Sequence, residues 1–152
     1  MNKNLLRIAF ADDDTDDHLF FFDAIKCIYH LALVNNFLNS EDLLNFFTRE
    51  KHITPHIIFL DKNMPGNMNY ECLEQIKETK SLVSVPVIIY STSSNPEEIN
   101  DAMLKGATGF IIKPTTFAET VQILHSTITN NVEMKFHEKP WRQLVSINGN
   151  MS

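Results

Sequence analysis

Four short apolar runs constrain this chain most: IAFA at 8–11, HIIFL at 56–60, VIIY at 87–90 and FII at 110–112. Each is too short for a helix, and turn-forming or charged residues flank it. An unbroken apolar run of this length suits a strand buried on both faces, because a strand with one wet face alternates instead. LALV at 31–34 is a fifth, weaker run.

Helical spacing fills the gaps. Residues 16–29 carry Phe20, Phe21, Ala24, Ile25 and Ile28 on one stripe. Residues 40–49 open on Ser40 as a cap and carry Leu43, Leu44 and Phe47. Residues 70–80 carry Leu73 and Ile76 and end basic. Residues 96–105 start at Pro96 behind Asn95 and stop at Gly106. Residues 116–129 carry Val121, Leu124 and Ile128, with Phe117 in the first turn. Five strands alternating with five helices predict an α/β protein, a doubly wound parallel sheet with helices on both faces.

Composition fits that reading. The chain has 152 residues, 43% of hydrophobic type and 21% charged, so it can build one core and is not globally disordered. A net charge of -6 disfavours an electrostatic nucleic-acid binder. Cys27 and Cys72 cannot form a disulfide framework or a four-ligand zinc site, and the six histidines show no ligand spacing. They read as surface or satisfied core residues, and the two cysteines as buried or half-buried thiols on helices. No apolar run approaches the roughly 20 residues of a membrane span, and the N-terminal run is too short for a signal peptide. The expectation is a cytoplasmic protein without a membrane or nucleic-acid partner.

In open α/β sheets ligands bind beyond the carboxyl ends of the strands. Asp12, Asp13 and Asp14 follow the first run, Asp61 the third, Ser91 and Thr92 the fourth, and Lys113 with Pro114 the fifth. Crowded carboxylates repel, and a divalent cation relieves that repulsion. Hard oxygen ligands suit Mg²⁺. A cation and a lysine together neutralise a phosphoryl group in transfer, and a carboxylate can accept it as nucleophile.

The chain resembles the receiver domain of bacterial two-component response regulators, of the stand-alone type. The matching pieces are IAFADDD, IIFLDKNMPG, PVIIYSTSS and KGATGFIIKP, and the likeness runs from about Leu5 to about Thr129. It implies a flavodoxin-like fold with strand order 2-1-3-4-5 over residues 1–129, followed by an extension at 130–152. It also implies that Asp61 is the phosphoacceptor and that Asp13, Asp61 and the Asn63 carbonyl bind Mg²⁺, with Asp12 holding a metal-bound water. Ser91 closes on the phosphoryl group, Lys113 pairs with it, Phe110 is a switch residue, and Pro114 follows a cis bond. Asn63 and Ser93 lie where side chains tune hydrolysis of the acyl phosphate. The implied donor is a sensor histidine kinase or histidine phosphotransfer protein. The implied output is altered binding of a downstream protein, through a shift around the fourth helix and fifth strand. Such a protein catalyses only its own phosphorylation and dephosphorylation.

One position departs from the pattern: Asn69 stands where the family usually has glycine, and Asn tolerates positive φ. Asp14 reads as a helix cap. An EF-hand is excluded because its sixth loop position, Asp17, is not glycine. A haloacid-dehalogenase pattern fails because Asp16 stands where Thr or Val is required. The alternatives are a phosphorylation-independent adaptor and a Mg²⁺-dependent small-molecule phosphatase.

Leu19 and Phe22 lie toward the polar side of the first helix and are candidate kinase contacts. The extension alternates Val132, Met134 and Phe136, then carries Trp141, Leu144 and Val145 after Pro140. It resembles the tails of stand-alone receivers that partner phytochrome-type kinases, and is expected to pack on the domain or to cross to a second subunit in a homodimer.

Overall fold

The computed structural model describes residues 5–92, 95–133 and 136–142. The strands are β1 (Arg7–Ala11), β2 (Leu33–Phe37), β3 (Ile57–Leu60), β4 (Val87–Ser91) and β5 (Gly109–Ile112). The helices are α1 (Thr15–Ile28), α2 (Ser40–Arg49), α3 (Glu71–Glu78), α4 (Pro96–Leu104) and α5 (Phe117–Asn131). All strand pairings are parallel, and the order is β2-β1-β3-β4-β5, as expected.

Two cores explain why the strand runs are unbroken. Successive strand side chains point to opposite faces. Ile8, Phe10, Ile57, Phe59, Ile88 and Tyr90 face α1 and α5, where they meet Phe21, Ile25, Val121 and Leu124. Ala9, Ala11, Ile58, Leu60, Val87 and Ile89 face the other way, onto Leu43, Phe47, Leu73 and Ile76. Both faces are covered, so no position in β1, β3 or β4 beyond Arg7 is free to be polar until the strand ends.

The edge differs from the sequence expectation. β2 begins at Leu33 and runs through Asn35 and Asn36, two residues later than the run at 31–34. Only Phe37 of this edge strand is buried, so the apolar signal is weak where the strand lies. Asn39, not Ser40, caps α2 and accepts the Asp42 N–H at 2.8 Å. Ser40 is buried instead beneath Gly66, whose φ is +87°; a Cβ there would stand 1.7 Å from the Ser40 Oγ. Phe20 also departs from its expected stripe: it is 37% exposed and packs edge-on against Phe117. Asp14 caps α1 as read, accepting the Asp16 N–H at 2.9 Å.

The β3–α3 loop holds two consecutive left-handed residues, Asn69 (φ 54°) and Tyr70 (φ 62°). The first was expected from the Asn-for-Gly replacement, and the second was not. Left-handed backbone costs a non-glycine residue about 1–2 kcal/mol. α4 and the residue that caps it hold the pair in place: the Tyr70 phenol donates to the Glu98 carbonyl at 3.0 Å, and the Nζ of the cap, Lys105, donates to the Asn69 carbonyl at 2.9 Å.

The described part of the extension returns to its own domain. Trp141 is 3% exposed and packs at a tilt against His125, Phe136 packs on the α1/α5 core, and the Lys139 N–H donates to the Ile28 carbonyl at 2.8 Å. Met134, Leu144 and Val145 lie outside the described residues.

Candidate functional site

The carboxyl ends of β1, β3, β4 and β5 meet at one edge of the sheet. Parallel pairing sets their depth: the Asp61 N–H donates to the Ala11 carbonyl at 2.8 Å, and the Lys113 N–H donates to the Ser91 carbonyl at 2.7 Å. Residues distant in sequence are thereby brought to the same level above the sheet.

Lys113 is the centre of the charge network. Its Nζ lies 2.8 Å from Asp12 Oδ2, 2.7 Å from Asp17 Oδ2 and 3.7 Å from Asp61 Oδ1. The ammonium also stands 5.6 Å from the centre of the Tyr90 ring. Asp12 is wholly buried, and its other oxygen accepts the Asp14 N–H at 2.9 Å. Asp13, one residue on, is exposed. Asp12, Asp13 and Asp61 each offer a carboxylate oxygen, and these atoms lie within 4.8 Å of one another.

Burial sets the electrostatics. Desolvation pushes the Asp12 carboxyl up to about 6, against the opposing pull of its hydrogen bond from Lys113. Desolvation also raises Asp61, with Lys113 and the Asn63 N–H pulling the other way and the negative charge of Asp13 and Asp17 adding to the rise. Lys113 moves upward because its carboxylate partners outweigh its own burial. The pocket is thus short of positive charge, and three carboxylate oxygens at this spacing make a hard donor set that fits Mg²⁺.

The family profile of the response regulator receiver domain matches residues 8–125. The chain belongs to this family. The two-component response regulator ARR15 of Arabidopsis thaliana is among its relatives: it is 34% identical over 73 residues, covering 48% of this chain and 35% of the relative. The response regulator ORR1 of Oryza sativa is 27% identical over 117 residues, covering 74% of this chain and 51% of the relative. The chain therefore spans about half or less of the length of these curated relatives. Among solved structures, the phosphorylated cyanobacterial phytochrome response regulator RcpA superposes with a TM-score of 0.74 at 21% identity, covering 84% of this chain and 94% of that one. The BeF3-activated DrrB receiver domain gives 0.65 at 25% identity, covering 82% and 98%.

Within this receiver domain, the structure brings together Asp12, Asp13, Asp61, Ser91 and Lys113. Ser91 is fully buried at the end of β4, and the exposed Asn63 contributes its N–H to Asp61. Phe110 pairs with Ile89 in the sheet, is half-buried and packs on the α2–α4 core. Ser93 lies outside the described residues. Leu19 (65% exposed) and Phe22 (37%) stand on the open side of α1, as their positions predict.

Pro114 corrects an expectation. No described peptide bond is cis, so the Lys113–Pro114 bond is trans. An X-Pro bond prefers trans by about 0.5–1 kcal/mol unless the fold opposes it.

Three supporting residues escaped the sequence reading. Asp17 in the first turn of α1 binds Lys113. His18 is buried, its Nε2 2.7 Å from the Asp12 carbonyl and its Nδ1 3.0 Å from Asn36 Oδ1. Asn67 is fully buried; it donates to the Asp61 carbonyl at 3.0 Å and accepts the Cys72 N–H at 3.1 Å, so it ties the Asp61 loop to the start of α3. Acidic first turns are common helix features, which hid Asp17. Nothing in the local sequence separates His18 or Asn67 from ordinary helix and loop residues.

Proposed function

We propose that the protein is a phospho-accepting response regulator in a two-component phosphorelay, with Asp61 as the acceptor. The observation that carries this reading is the Lys113 ammonium set among Asp12, Asp17 and Asp61, beside the Asp12–Asp13–Asp61 oxygen cluster. In the transfer, an Asp61 carboxylate oxygen attacks the phosphorus of a phosphohistidine on a sensor histidine kinase or phosphotransfer protein. The new O–P bond forms as the P–N bond breaks, and the imidazole nitrogen keeps the electron pair.

Asp13, Asp61 and the Asn63 carbonyl would hold Mg²⁺, and Asp12 would support it through a water. When bound, Mg²⁺ offsets the charge on the carboxylates and the phosphoryl oxygens. Lys113 pairs with the phosphoryl group, and Ser91 closes on it. Asn67 keeps the Asp61 loop in register. The chain acts on itself alone and has no outside substrate to turn over. Its output is a changed surface around α4 and β5, including Phe110, that alters binding of a downstream protein in the cytoplasm. Leu19 and Phe22 contact the kinase, and the extension serves the domain or a homodimer.

The test is incubation with phosphoramidate or acetyl phosphate, with and without Mg²⁺, read by intact mass. A Mg²⁺-dependent gain of one phosphoryl group supports the reading. No gain at any Mg²⁺ concentration moves the weight to a phosphorylation-independent adaptor.

A further inference from the structure

Asp17 has no part in the transfer step described above, yet it makes the shortest contact to Lys113. Its Oδ2 lies 2.7 Å from Nζ, against 2.8 Å for Asp12 and 3.7 Å for Asp61. The first two are hydrogen bonds and the third is too long to be one. The ammonium is therefore drawn toward the β1–α1 side of the pocket and away from the acceptor. A carboxylate in the first turn of a helix has an ordinary explanation in the helix dipole. That explains a negative charge at this turn, but not its aim at a lysine 96 residues away.

We infer that Asp17 is a positioning residue: it holds Lys113 in the unphosphorylated protein and competes for its ammonium with a phosphoryl group on Asp61. The inference rests on the function proposed above. Asp12 cannot be the partner that yields, because it is fully buried and pinned by the Asp14 N–H. Asp17 can yield, because its side chain is 33% exposed and can turn to water at small cost. A phosphoryl group carries about 1.5 to 2 negative charges and projects its oxygens beyond the carboxylate that bears it. Lys113 meets those oxygens by releasing Asp17 while keeping Asp12. The hold of Asp17 on Lys113 then counts against the phosphorylated state, and removing its charge tips the balance toward that state.

The test uses beryllofluoride, a phosphoryl mimic, bound to the whole chain at Mg²⁺ saturating for each variant and measured by calorimetry. Asp17→Asn keeps the shape and removes the charge. It is expected to bind beryllofluoride about two- to fivefold more tightly, the range of one partly exposed ion pair. Asp17→Glu keeps the charge and is expected to stay within about twofold of wild type. The gain in Asp17→Asn should shrink at 1 M salt, which screens a charge competition and leaves a packing effect untouched. Equal or weaker binding by Asp17→Asn, with wild type binding normally, would overturn the role of Asp17 alone. No Mg²⁺-dependent binding by wild type would overturn the proposed function with it.

Discussion

The Lys113 ammonium donates to the Asp12 carboxylate at 2.8 Å, and the two side chains are 11% and 1% exposed. They are 101 residues apart in sequence, one just after β1 and the other just after β5. A buried pair adds little net stability when intact, but removing one partner strands the other. Lys113→Ala is therefore expected to lower stability by about 3 kcal/mol at pH 7.5 without Mg²⁺. The loss should be smaller near pH 5, where Asp12, already pushed up to about 6, takes a proton and needs no counter-ion. Urea unfolding at the two pH values measures both. An equal loss at both would contradict the burial argument.

Asn69 and Tyr70 divide the strain of the β3–α3 loop differently. The Tyr70 side chain is buried, so its ring holds it in place, whereas Asn69 is exposed and has little side-chain packing to offset its φ of 54°. Asn69→Gly should leave thermal stability equal or raised, because glycine takes positive φ freely. Asn69→Val should lower it by about 1–2 kcal/mol. The two variants change the same exposed site in opposite directions, so a common loss would point to a side-chain role for Asn69 instead.

His56 gives a pH dependence with a definite sign. Its Nδ1 accepts the Arg7 N–H at 3.0 Å, which only the neutral ring can do. Burial pushes its pKa below the ordinary 6.5, and the Arg7 charge adds to the fall. Between the folded and unfolded values the unfolded chain binds more protons, so stability rises with pH. The contribution is complete above about 6.5 and is lost as pH falls through the folded value. His56→Gln should flatten this part of the urea-midpoint profile; an unchanged profile would show that other groups set it.

Trp141 measures what the extension does for the domain. It is 3% exposed against the α1/α5 core, beside His125, and His125 Nε2 lies 2.8 Å from Glu138 Oε1. Trp141→Ala should cost about 3 kcal/mol, as for a buried aromatic side chain. Its indole N–H has no partner among the described residues, so some of the packing gain is already offset in the wild type. A loss below about 0.5 kcal/mol would mean that the extension does not pack there in solution.

The sequence was most legible where burial is two-sided. β1, β3 and β4 were placed to within a residue because continuous apolar runs have few other uses; β5 was placed as closely although it is an edge strand whose Ile112 is 48% exposed. β2 was misplaced because an edge strand tolerates Asn35 and Asn36. The five candidate site side chains stood out as polar residues at the ends of apolar runs. Asp17, His18 and Asn67 did not, because their roles depend on what lies across space. The Asp17 carboxylate looks like helix-dipole complementarity until Lys113 is seen beside it, and Asn67 looks like loop until its amide is found bridging Asp61 and Cys72. The trans bond before Pro114 is a choice between isomers of similar energy, which the local sequence does not decide.

The central claim is that Asp61 is the phosphoacceptor. The most direct measurement treats the wild type and Asp61→Asn with phosphoramidate and Mg²⁺, reduces the acyl phosphate with borohydride, and maps the modified residue by peptide mass spectrometry. The account predicts one modified residue, Asp61, in the wild type and none in the variant. Modification at another residue, or equal labelling of the variant, would contradict it.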